Sequence, residues 1–529
     1  HVQSTKYLLH QKILTRNGNY IKQFYFVLNK AEKVRNYSKE TRNYFFNRLR
    51  ADQCSYKQKS CEQHVIIEHK IKRQRSYHPL SCVNSLKMIV PILFLSLLSV
   101  ALSFSDGILN VKQPNKDGNH WAVLVAGSSS WNNYRHQADV CHAYQILKNH
   151  GIPDERIIVF MYDDIANNDA NPTPGVIINQ PNGPNVYVGV PKDYTGKNVK
   201  PDVFLHVLQG NADKLVGIGS GKVVKSGPND HIFVNFVDHG APGILAFGDD
   251  MLKANQLMQA IKNMHKQNKY GKMVFYVEAC ESGSMFSDLL PKDINVYATT
   301  ASNPDESSYA CYYDKKLDTY LGDVYSIKWM QDSDKEDLNK ETLEKQFKIT
   351  KAETNTSHVM EYGDLTIGDM TVAEFQGNQQ SPVFLGNNIG TEEKDPCDDA
   401  VPSEDVPLAI LERRLEAATS QTQREQLEEQ LRDLIKSRES VKTTIKKITS
   451  FATNDHIQTY RVMDGGVRHA LRSWDCYEYV LDHLVATCPQ LSLPKNDYAL
   501  RHLYVFVNMC EERVPAETIN EAITKVCGY

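Results

Sequence analysis

The sequence lacks the features of a non-globular protein. It has no evident internal repeat, a single long apolar run, and only 28 Gly and 21 Pro among 529 residues. These shortages exclude a collagen-like, coiled-coil or polytopic membrane protein. A hydrophobic content of 41% with 23% charged residues also excludes a wholly disordered chain. Because 529 residues exceed what one hydrophobic core can organise, we expect at least two folded domains.

Methionine is missing from residues 1–87, and acidic residues are scarce there, with 5 Asp/Glu against 18 Lys/Arg. Met88 then begins the uncharged run MIVPILFLSLLSVALSF, which ends in small residues. Such a run is typical of a secretory signal peptide, so we predict one over 88–105 and interpret the basic arm 1–87 as translated upstream sequence. The alternative is a signal anchor behind a cytosolic arm, but 17 apolar residues are at the lower limit for spanning a bilayer.

The charge changes sign after the basic arm. Residues beyond 87 include 42 Lys/Arg and 59 Asp/Glu, a balance of −17, whereas the arm has a balance of +13. The formal net charge of −4 therefore averages two segments of opposite charge. An acidic secreted protein has no electrostatic attraction for nucleic acid, so no nucleic-acid partner is expected.

Five apolar, β-rich runs lie between residues 120 and 302: HWAVLVAG, RIIVFMYDD, HIFVNFVDHG, KMVFYVEAC and INVYATTAS. Near-continuous apolar strands, separated by stretches long enough for helices, predict an α/β fold with a mostly parallel sheet covered on both faces. Several runs end in polar residues, among them Asp238-His239 and Glu278-Ala279-Cys280. Ligands bind at the carboxyl ends of the strands in such sheets, so we expect a site at this edge.

The composition shifts again near residue 378. Acidic residues with Gly, Asn and Pro predict a linker over 378–405, and leucines at helical spacing predict helices from 406 onwards. We therefore expect one domain at 106–377 and an all-α domain at 406–529. The tail contains four cysteines, which in a secreted chain predict two disulfides with three possible connectivities. These cysteines are Cys476, Cys488, Cys510 and Cys527.

A cysteine and a histidine follow two of the predicted strands. Cys280 precedes Glu-Ser-Gly-Ser, and His239 precedes Gly240. A thiol at a strand tip can attack a carbonyl carbon, a histidine beside it can take the thiol proton, and nearby backbone NH groups can stabilise the oxyanion. The alternative is structural, since buried cysteines and histidines are commonly inert parts of the core.

Several motifs occur together in one order, which is more specific than any motif alone. They are NYRHQADVCHAYQIL (133–147), FVDHGAPG (236–243), YVEACESGSM (276–285), SSYACYYD (307–314), TNTSHVMEYGD (354–364) and YALRHLYVFVNMCE (498–511). In these motifs the chain resembles the legumains, asparaginyl endopeptidases of the caspase-like cysteine protease clan, over roughly residues 115–529. The resemblance implies a caspase-like catalytic domain at 106–377 and a helical prodomain that inhibits it until the linker is cut at low pH.

The resemblance also implies roles for the residues that match. Cys280 would be the nucleophile, His239 the general base and acid, and Asn133 the group that orients the imidazole. The NH groups of Gly240 and Cys280 would form the oxyanion hole. The substrate side chain would be held by Arg135, His136, Glu278, Ser308 and Asp323. Such a set suits asparagine, whose carboxamide needs a donor on one side and acceptors on the other. Aspartate would be accepted only at acidic pH, where a carboxyl is protonated.

Self-cleavage of a legumain-like zymogen would occur at asparagine or aspartate in the linker. The candidates are Asn378, Asn387, Asn388, Asp399 and Asp405. If basic residues of 406–450 pair with carboxylates of the catalytic domain, protonation weakens that contact, so we expect opening at acidic pH. Asn355-Thr-Ser is an N-glycosylation acceptor, as expected of a secretory protein.

We expect a zymogen that hydrolyses proteins after asparagine in a lysosomal, gut or vacuolar compartment, or after secretion, without a cofactor or a stable membrane anchor. Expected partners are protein and peptide substrates, its own prodomain and cystatin-type inhibitors. The alternatives are a peptide asparaginyl ligase (transpeptidase), an inactive binding homologue and a membrane-anchored transamidase relative. The intact catalytic residues argue against an inactive protein, and the four-cysteine tail argues against the transamidase. No zinc is expected, because no second cluster completes a site with His136, Cys141 and His142.

Overall fold

The computed structural model describes residues 118–379, 396–453, 455–463 and 465–528. The predicted basic arm 1–87, the predicted signal peptide 88–105 and two cleavage candidates lie outside the described residues. These two candidates are Asn387 and Asn388.

The five predicted strands form a parallel sheet, which confirms the predicted α/β class. A further short strand, which is only half-buried, pairs antiparallel with one edge of the sheet. It is too short to show a periodicity in the sequence, so it was not predicted. In spatial order the sheet consists of β11 (Met360–Gly363), β8 (Val296–Thr300), β7 (Lys272–Glu278), β3 (His231–Val237), β1 (His120–Ala126) and β2 (Ile157–Phe160).

Helices cover both faces of this sheet, because alternate strand residues point to opposite sides. On β1, Ala122 and Leu124 join the core on one face, whereas Val123 and Val125 join the core on the other. The first face packs against α1 (Tyr134–Asn149), α4 (Val324–Lys335) and α5 (Leu343–Glu353). The second face packs against α2 (Pro201–Leu208) and α3 (Ala254–Lys266). The short helix α6 spans Ala373–Gln376.

Two small antiparallel sheets lie beyond the central one. The first consists of β4 (Gly240–Ala241), β5 (Ile244–Phe247) and β6 (Asp250–Lys253). The second consists of β10 (Thr319–Asp323), β9 (Tyr309–Asp314) and β12 (Val401–Pro402) in that order. In this second sheet β12 comes from the linker, so the linker pairs with the catalytic region.

The region after the linker is helical, as predicted. Its helices are α7 (Val406–Ala417), α8 (Gln421–Thr453), α9 (His456–Met463), α10 (Trp474–Thr487), α11 (Asp497–Leu500), α12 (Tyr504–Glu511) and α13 (Ala516–Cys527). Their shared core includes Ala241, Ile244 and Met251 of the first small sheet, so the helical region packs directly on the catalytic region. Among the described helices, none has the length and apolarity needed to cross a bilayer.

Three disulfides are formed among the described residues. The four tail cysteines pair as Cys476–Cys510 and Cys488–Cys527, which selects one of the three possible connectivities. A third bridge, Cys311–Cys397, joins β9 to the linker across 86 residues of sequence and was not predicted. Cys141 and Cys280 remain free and buried.

Candidate active site

The sheet brings the predicted cysteine and histidine side by side. β3 and β7 are parallel neighbours in which Val237 lies opposite Glu278, and each strand is followed two residues later by His239 or Cys280. Asn133 reaches the same edge because it directly precedes α1, the helix that follows β1. Three separate segments therefore meet at the carboxyl edge of the sheet, where the sequence predicted a site.

Asn133 fixes the orientation of the imidazole of His239. Its amide nitrogen donates to the carbonyl oxygen of Ser129 at 3.0 Å, so its Oδ1 faces His239 Nε2, also at 3.0 Å. The ring nitrogen Nε2 must therefore carry the hydrogen, which leaves Nδ1 as the acceptor. Burial lowers the pKa of His239, so the ring is neutral over a wide pH range and Nδ1 can take a proton.

The thiol of Cys280 is covered in this form of the molecule. Its Sγ accepts from the backbone NH of Ser308 at 3.4 Å and lies 3.8 Å from Oε2 of Glu404. Burial raises the pKa of Cys280, and the negative charges of Glu404 and Glu281 raise it further. The sulfur is consequently held as a thiol, which is a weak nucleophile.

Gly240 allows the two strand ends to approach each other closely. A Cβ at this position would lie 2.2 Å from the carbonyl oxygen of Cys280, which is too close for any side chain. The glycine predicted for the oxyanion hole is therefore also required by the packing of the backbone around Cys280.

The predicted specificity residues lie together and are all buried. Nε of Arg135 donates to Oδ1 of Asp323 at 2.8 Å, and His136 Nε2 lies 3.7 Å from Oδ2 of the same carboxylate. Two carboxylate oxygens in the cluster have no hydrogen-bond partner, Oε1 of Glu278 and Oδ2 of Asp323. Buried acceptors without donors are costly, so this cluster is incomplete without a ligand.

The linker occupies the cleft. Val401 and Pro402 pair antiparallel with β9, and the NH of Ser403 donates to the carbonyl oxygen of Ser308 at 2.9 Å. Oγ of Ser403 accepts from Nη2 of Arg135 at 2.7 Å. The space left around Cys280 is about 10 Å³, which is room for one water molecule at most.

Charged groups of the helical region contact the linker and the residues around Cys280 and His239. Arg501 pairs with Glu404 at 2.9 Å, and Arg468 pairs with the buried Glu281, also at 2.9 Å. Asp497 Oδ2 lies 3.7 Å from Nε2 of His239. Sequence reasoning missed these residues. Two motifs were available signals, since YALRHLYVFVNMCE contains Arg501 and YVEACESGSM contains Glu281, whereas Glu404 lies in an acidic stretch without a motif.

The described cleavage candidates lie outside the specificity pocket. Asn378 is exposed after α6. The carboxylate of Asp399 accepts from the NH groups of Tyr312 and Tyr313 at 3.1 and 2.8 Å, and Asp405 pairs with Arg438 at 2.7 Å. From the linker of the same molecule, the sulfur of Cys280 therefore contacts Glu404 and none of these three residues.

Among the described residues, one set of side chains has the spacing of metal ligands. Donor atoms of His136, Asp238 and His239 lie within 4.8 Å of one another. Burial lowers the pKa of His136, and the positive charge of Arg135 lowers it further. A metal cation there would meet the same repulsion, so this set fits a metal poorly.

The chain was compared with known proteins. Residues 120–378 match the Peptidase C13 family, and residues 429–527 match the legumain prodomain. Legumain of Homo sapiens is 50% identical over 433 residues, which cover 81% of this chain and 97% of that protein. Hemoglobinase of Schistosoma japonicum is 43% identical over 83% of this chain and 100% of its own. A vacuolar-processing enzyme of Vicia sativa is 41% identical over 79% of this chain and 88% of its own.

Proposed function

Because the chain belongs to the legumain family and is thus a cysteine-type endopeptidase with a prodomain, we propose that it cleaves proteins on the carboxyl side of asparagine. The observation that carries this specificity is the buried pocket in which Arg135 lies beside two unpartnered acceptors, Oε1 of Glu278 and Oδ2 of Asp323. The oxygen of an asparagine carboxamide would accept from Arg135, and its two N–H groups would donate to the two carboxylates.

Aspartate presents a second oxygen where asparagine presents an amide. An ionised aspartate would place its charge beside Glu278 and Asp323, so it should bind only at acidic pH. Burial raises the pKa of Glu278, and the charge of Asp323 raises it further. A protonated Glu278 can donate to a substrate oxygen, which gives a route to aspartate cleavage as the pH falls.

Catalysis would begin when His239 Nδ1 takes the proton of Cys280, whose sulfur then attacks the carbonyl carbon of the substrate. The NH groups of Gly240 and Cys280 would stabilise the oxyanion. His239 would return the proton to the leaving amine, and water would then hydrolyse the thioester. Asn133 supports this assignment, because its side-chain oxygen Oδ1 accepts a hydrogen bond from Nε2–H of His239 and leaves Nδ1 as the base.

The linker would act as an inhibitor that imitates a substrate. It adds a strand to β9, as peptide substrates commonly do at open sheet edges, and places Ser403 at Arg135. A serine is too short to reach both unpartnered carboxylate oxygens, so it fills the pocket without satisfying it. The helical prodomain then holds Glu404 over the thiol through Arg501.

We expect this zymogen to open at acidic pH. The pKa of His239 is lowered by burial, so the closed form binds this proton less readily than an open form, and acid favours opening. Glu281 acts in the opposite direction, because burial raises its pKa to about 8 and the closed form retains that proton. Carboxylate protonation is therefore not the whole trigger. Few basic residues of 406–450 pair with the catalytic region, as Arg414 does with Asp318, and these pairs have a secondary effect on opening.

An acid-opened protease suits an acidic compartment of the secretory pathway, such as a lysosome, gut or vacuole, and this location remains a proposal. Protein and peptide substrates are the expected partners. Cystatin-type inhibitors are a further expectation, since they would have to enter the same cleft after the linker has left it.

The decisive experiment uses the secreted zymogen after incubation at pH 4–5. The processed protein receives Ala-Ala-Asn and Ala-Ala-Asp reporters, with Ala-Ala-Gln as the matched control for carboxamide length, and Cys280→Ala is assayed beside it. We expect cleavage after asparagine, weaker cleavage after aspartate that increases with acidity, and none in Cys280→Ala. Equal cleavage after glutamine would contradict the pocket assignment. Addition of a peptide amine at pH 6–7 measures how much of the acyl-enzyme is ligated.

A further inference from the structure

A buried chain of hydrogen bonds runs from the protein surface to the specificity pocket. Oδ2 of Asp334, on α4, lies 2.9 Å from Nε2 of His142, whose Nδ1 lies 2.8 Å from Oδ1 of Asn179. Nδ2 of Asn179 donates to Oδ1 of Asp139 at 2.7 Å, and Oδ2 of Asp139 accepts from the backbone NH of Asp323 at 3.2 Å. The last residue is the pocket carboxylate paired with the specificity arginine.

The orientation of the Asn179 amide in this chain is fixed. Nδ2 of Asn179 has a second acceptor, the carbonyl oxygen of Leu321, at 2.9 Å, so both of its hydrogens are used. The amide cannot be turned over without placing its oxygen against two acceptors, hence Oδ1 faces His142. Gly322 makes this approach possible, because a Cβ there would lie 2.9 Å from Nδ2 of Asn179.

His142 therefore lies between two acceptors. A neutral imidazole has one N–H, so it can satisfy either Asn179 or the carboxylate of Asp334, whereas an imidazolium satisfies both. Asp334 is the charged group that faces the ring from α4, and Asp139 faces it through the neutral Asn179 from one turn earlier on α1. Burial alone would lower the pKa of His142, but the charge and hydrogen bond of Asp334 raise it above its usual value.

We infer that His142 and Asp139 are positioning residues for the asparagine pocket, with protonated His142 fixing the amide of Asn179 and thereby the end of β10 that carries Asp323. This inference rests on the proposed function, since it concerns the affinity of the same pocket. Once His142 is neutral, its single N–H donates to the carboxylate of Asp334, which is a stronger acceptor than an amide oxygen, and the link to Asn179 is lost. The backbone NH and carboxylate of Asp323 are then less well held, and substrate binding weakens while the reacting groups stay in place.

The test is the pH dependence of KM and kcat for the Ala-Ala-Asn reporter, measured as initial rates on the processed enzyme from pH 5 to 8. In His142→Asn, the new amide nitrogen takes the place of Nδ1 and donates to Asn179 at every pH. In His142→Gln, the amide reaches the place of Nε2 and the link to Asn179 is lost. We expect KM of the wild type to rise with pH, KM of His142→Asn to stay low and flat, and KM of His142→Gln to be about tenfold higher throughout, each with little change in kcat.

His150→Asn is the matched control, because this buried histidine follows the same helix and Nδ1 of its ring lies 2.8 Å from the carbonyl oxygen of Ile146, outside the chain of hydrogen bonds to the pocket. It should reproduce the wild-type profile. Asp334→Asn, at the partly exposed end of the chain, removes the charge that favours the imidazolium and should move the rise in KM to lower pH. Thermal unfolding at each pH identifies any variant that has lost its fold.

The outcomes separate the two proposals. Absence of asparagine cleavage in the wild type would overturn the proposed function and this inference with it. Asparagine cleavage with the same KM profile in the wild type, His142→Asn and Asp334→Asn would overturn this inference alone. If the two His142 variants do not fold, the profile of Asp334→Asn decides, since an unmoved rise in KM means that another group titrates.

Discussion

Cys397 of the linker is joined to Cys311 of β9 by a disulfide bond. Three cleavage candidates precede Cys397 in the chain, and Asp399 and Asp405 follow it. The three are Asn378, Asn387 and Asn388. A cut before Cys397 therefore leaves the remaining linker and the prodomain covalently attached to the catalytic region. Release of the prodomain requires a cut after Cys397 or reduction of this bond.

We predict that a zymogen cut only before Cys397 keeps both fragments in one band on a denaturing gel without reductant. The Cys280→Ala zymogen, treated with a small amount of processed enzyme, should give two fragments with reductant and one species without it. Cys311→Ser is the matched control and should give two fragments under both conditions. Fragments that separate without reductant, with a prodomain sequence that starts before residue 397, would show that the bridge is absent.

The place of Ser403 beside Arg135 leads to a second prediction. Asparagine at position 403 would offer its carboxamide to the unpartnered oxygens of Glu278 and Asp323, which the serine hydroxyl leaves unsatisfied. We expect Ser403→Asn to convert the inhibitory segment into a substrate and to accelerate cleavage after residue 403 at least about tenfold.

Mass spectrometry of the new termini measures this cleavage. Cys280→Ala combined with Ser403→Asn should remain intact, and Ser403→Gln, one methylene longer, should be cut far more slowly than Ser403→Asn. If the asparagine variant is cut elsewhere at unchanged rate, the segment does not bind in the manner of a substrate.

The sequence was sufficient for the parts of the site that depend on parallel strands. His239 and Cys280 each follow an apolar run, and parallel neighbours bring such ends to one edge of the sheet whatever their distance in sequence. The helical spacing of leucines after residue 406 also predicted the helices there. Most of these leucines are half-buried, however, and the core contacts of α7 come from Val406 and Ile410.

Contacts between segments that are distant in sequence could not be predicted. Ser403 follows a two-residue strand in an acidic stretch, and its position at Arg135 is set by pairing with β9. Asn179 lies in a loop with no motif. Its role depends on hydrogen bonds to His142, Asp139 and Leu321, which lie on other elements. Cys311 and Cys397 are 86 residues apart, and the linker cysteine has no spacing that identifies a partner.

The close contact of Gly240 with Cys280 gives a third prediction. Alanine at 240 would place a methyl group 2.2 Å from the carbonyl oxygen of Cys280, so the backbone on both sides of the nucleophile must shift. We expect kcat of the processed Gly240→Ala enzyme to fall about a hundredfold, as when an oxyanion donor is displaced, with a loss of about 1–3 kcal/mol in stability. Gly227→Ala, where a Cβ meets nothing within 4 Å, is the control and should leave both unchanged. Wild-type kcat in Gly240→Ala would exclude this NH group from the oxyanion hole.

His502 of the prodomain supplies a pH-dependent contribution to latency. Its ring packs against Tyr498 at 5.0 Å between centroids, and its Nε2 is buried without a hydrogen-bond partner. Burial and the positive charges of Arg501, Lys442 and Arg468 lower the pKa of His502 from 6.5 to about 4. All of these groups belong to the prodomain, so the closed form binds this proton less readily than a form in which the prodomain has loosened and exposed the ring. Its contribution to closure is complete above pH 6.5 and is lost as the pH falls towards 4, by up to about 3 kcal/mol.

We predict that His502→Phe, which keeps the ring on Tyr498 and removes the titration, shifts acid activation about one pH unit lower. The rate at which asparagine-cleaving activity develops between pH 3.5 and 6.5 measures this shift. His483→Phe is the matched control, because this partly exposed histidine lies on α10, where it bonds to Thr524 Oγ1, and its loss should leave the activation profile where it is. Neither substitution removes a member of the ion pairs Arg501–Glu404 and Arg468–Glu281, so we attribute a difference between the two histidine variants to the proton on His502. Coincident profiles for His502→Phe and the wild type would place the acid trigger elsewhere, for example at His239, whose pKa is lowered by burial and whose Nε2 lies 3.7 Å from Asp497 of the prodomain.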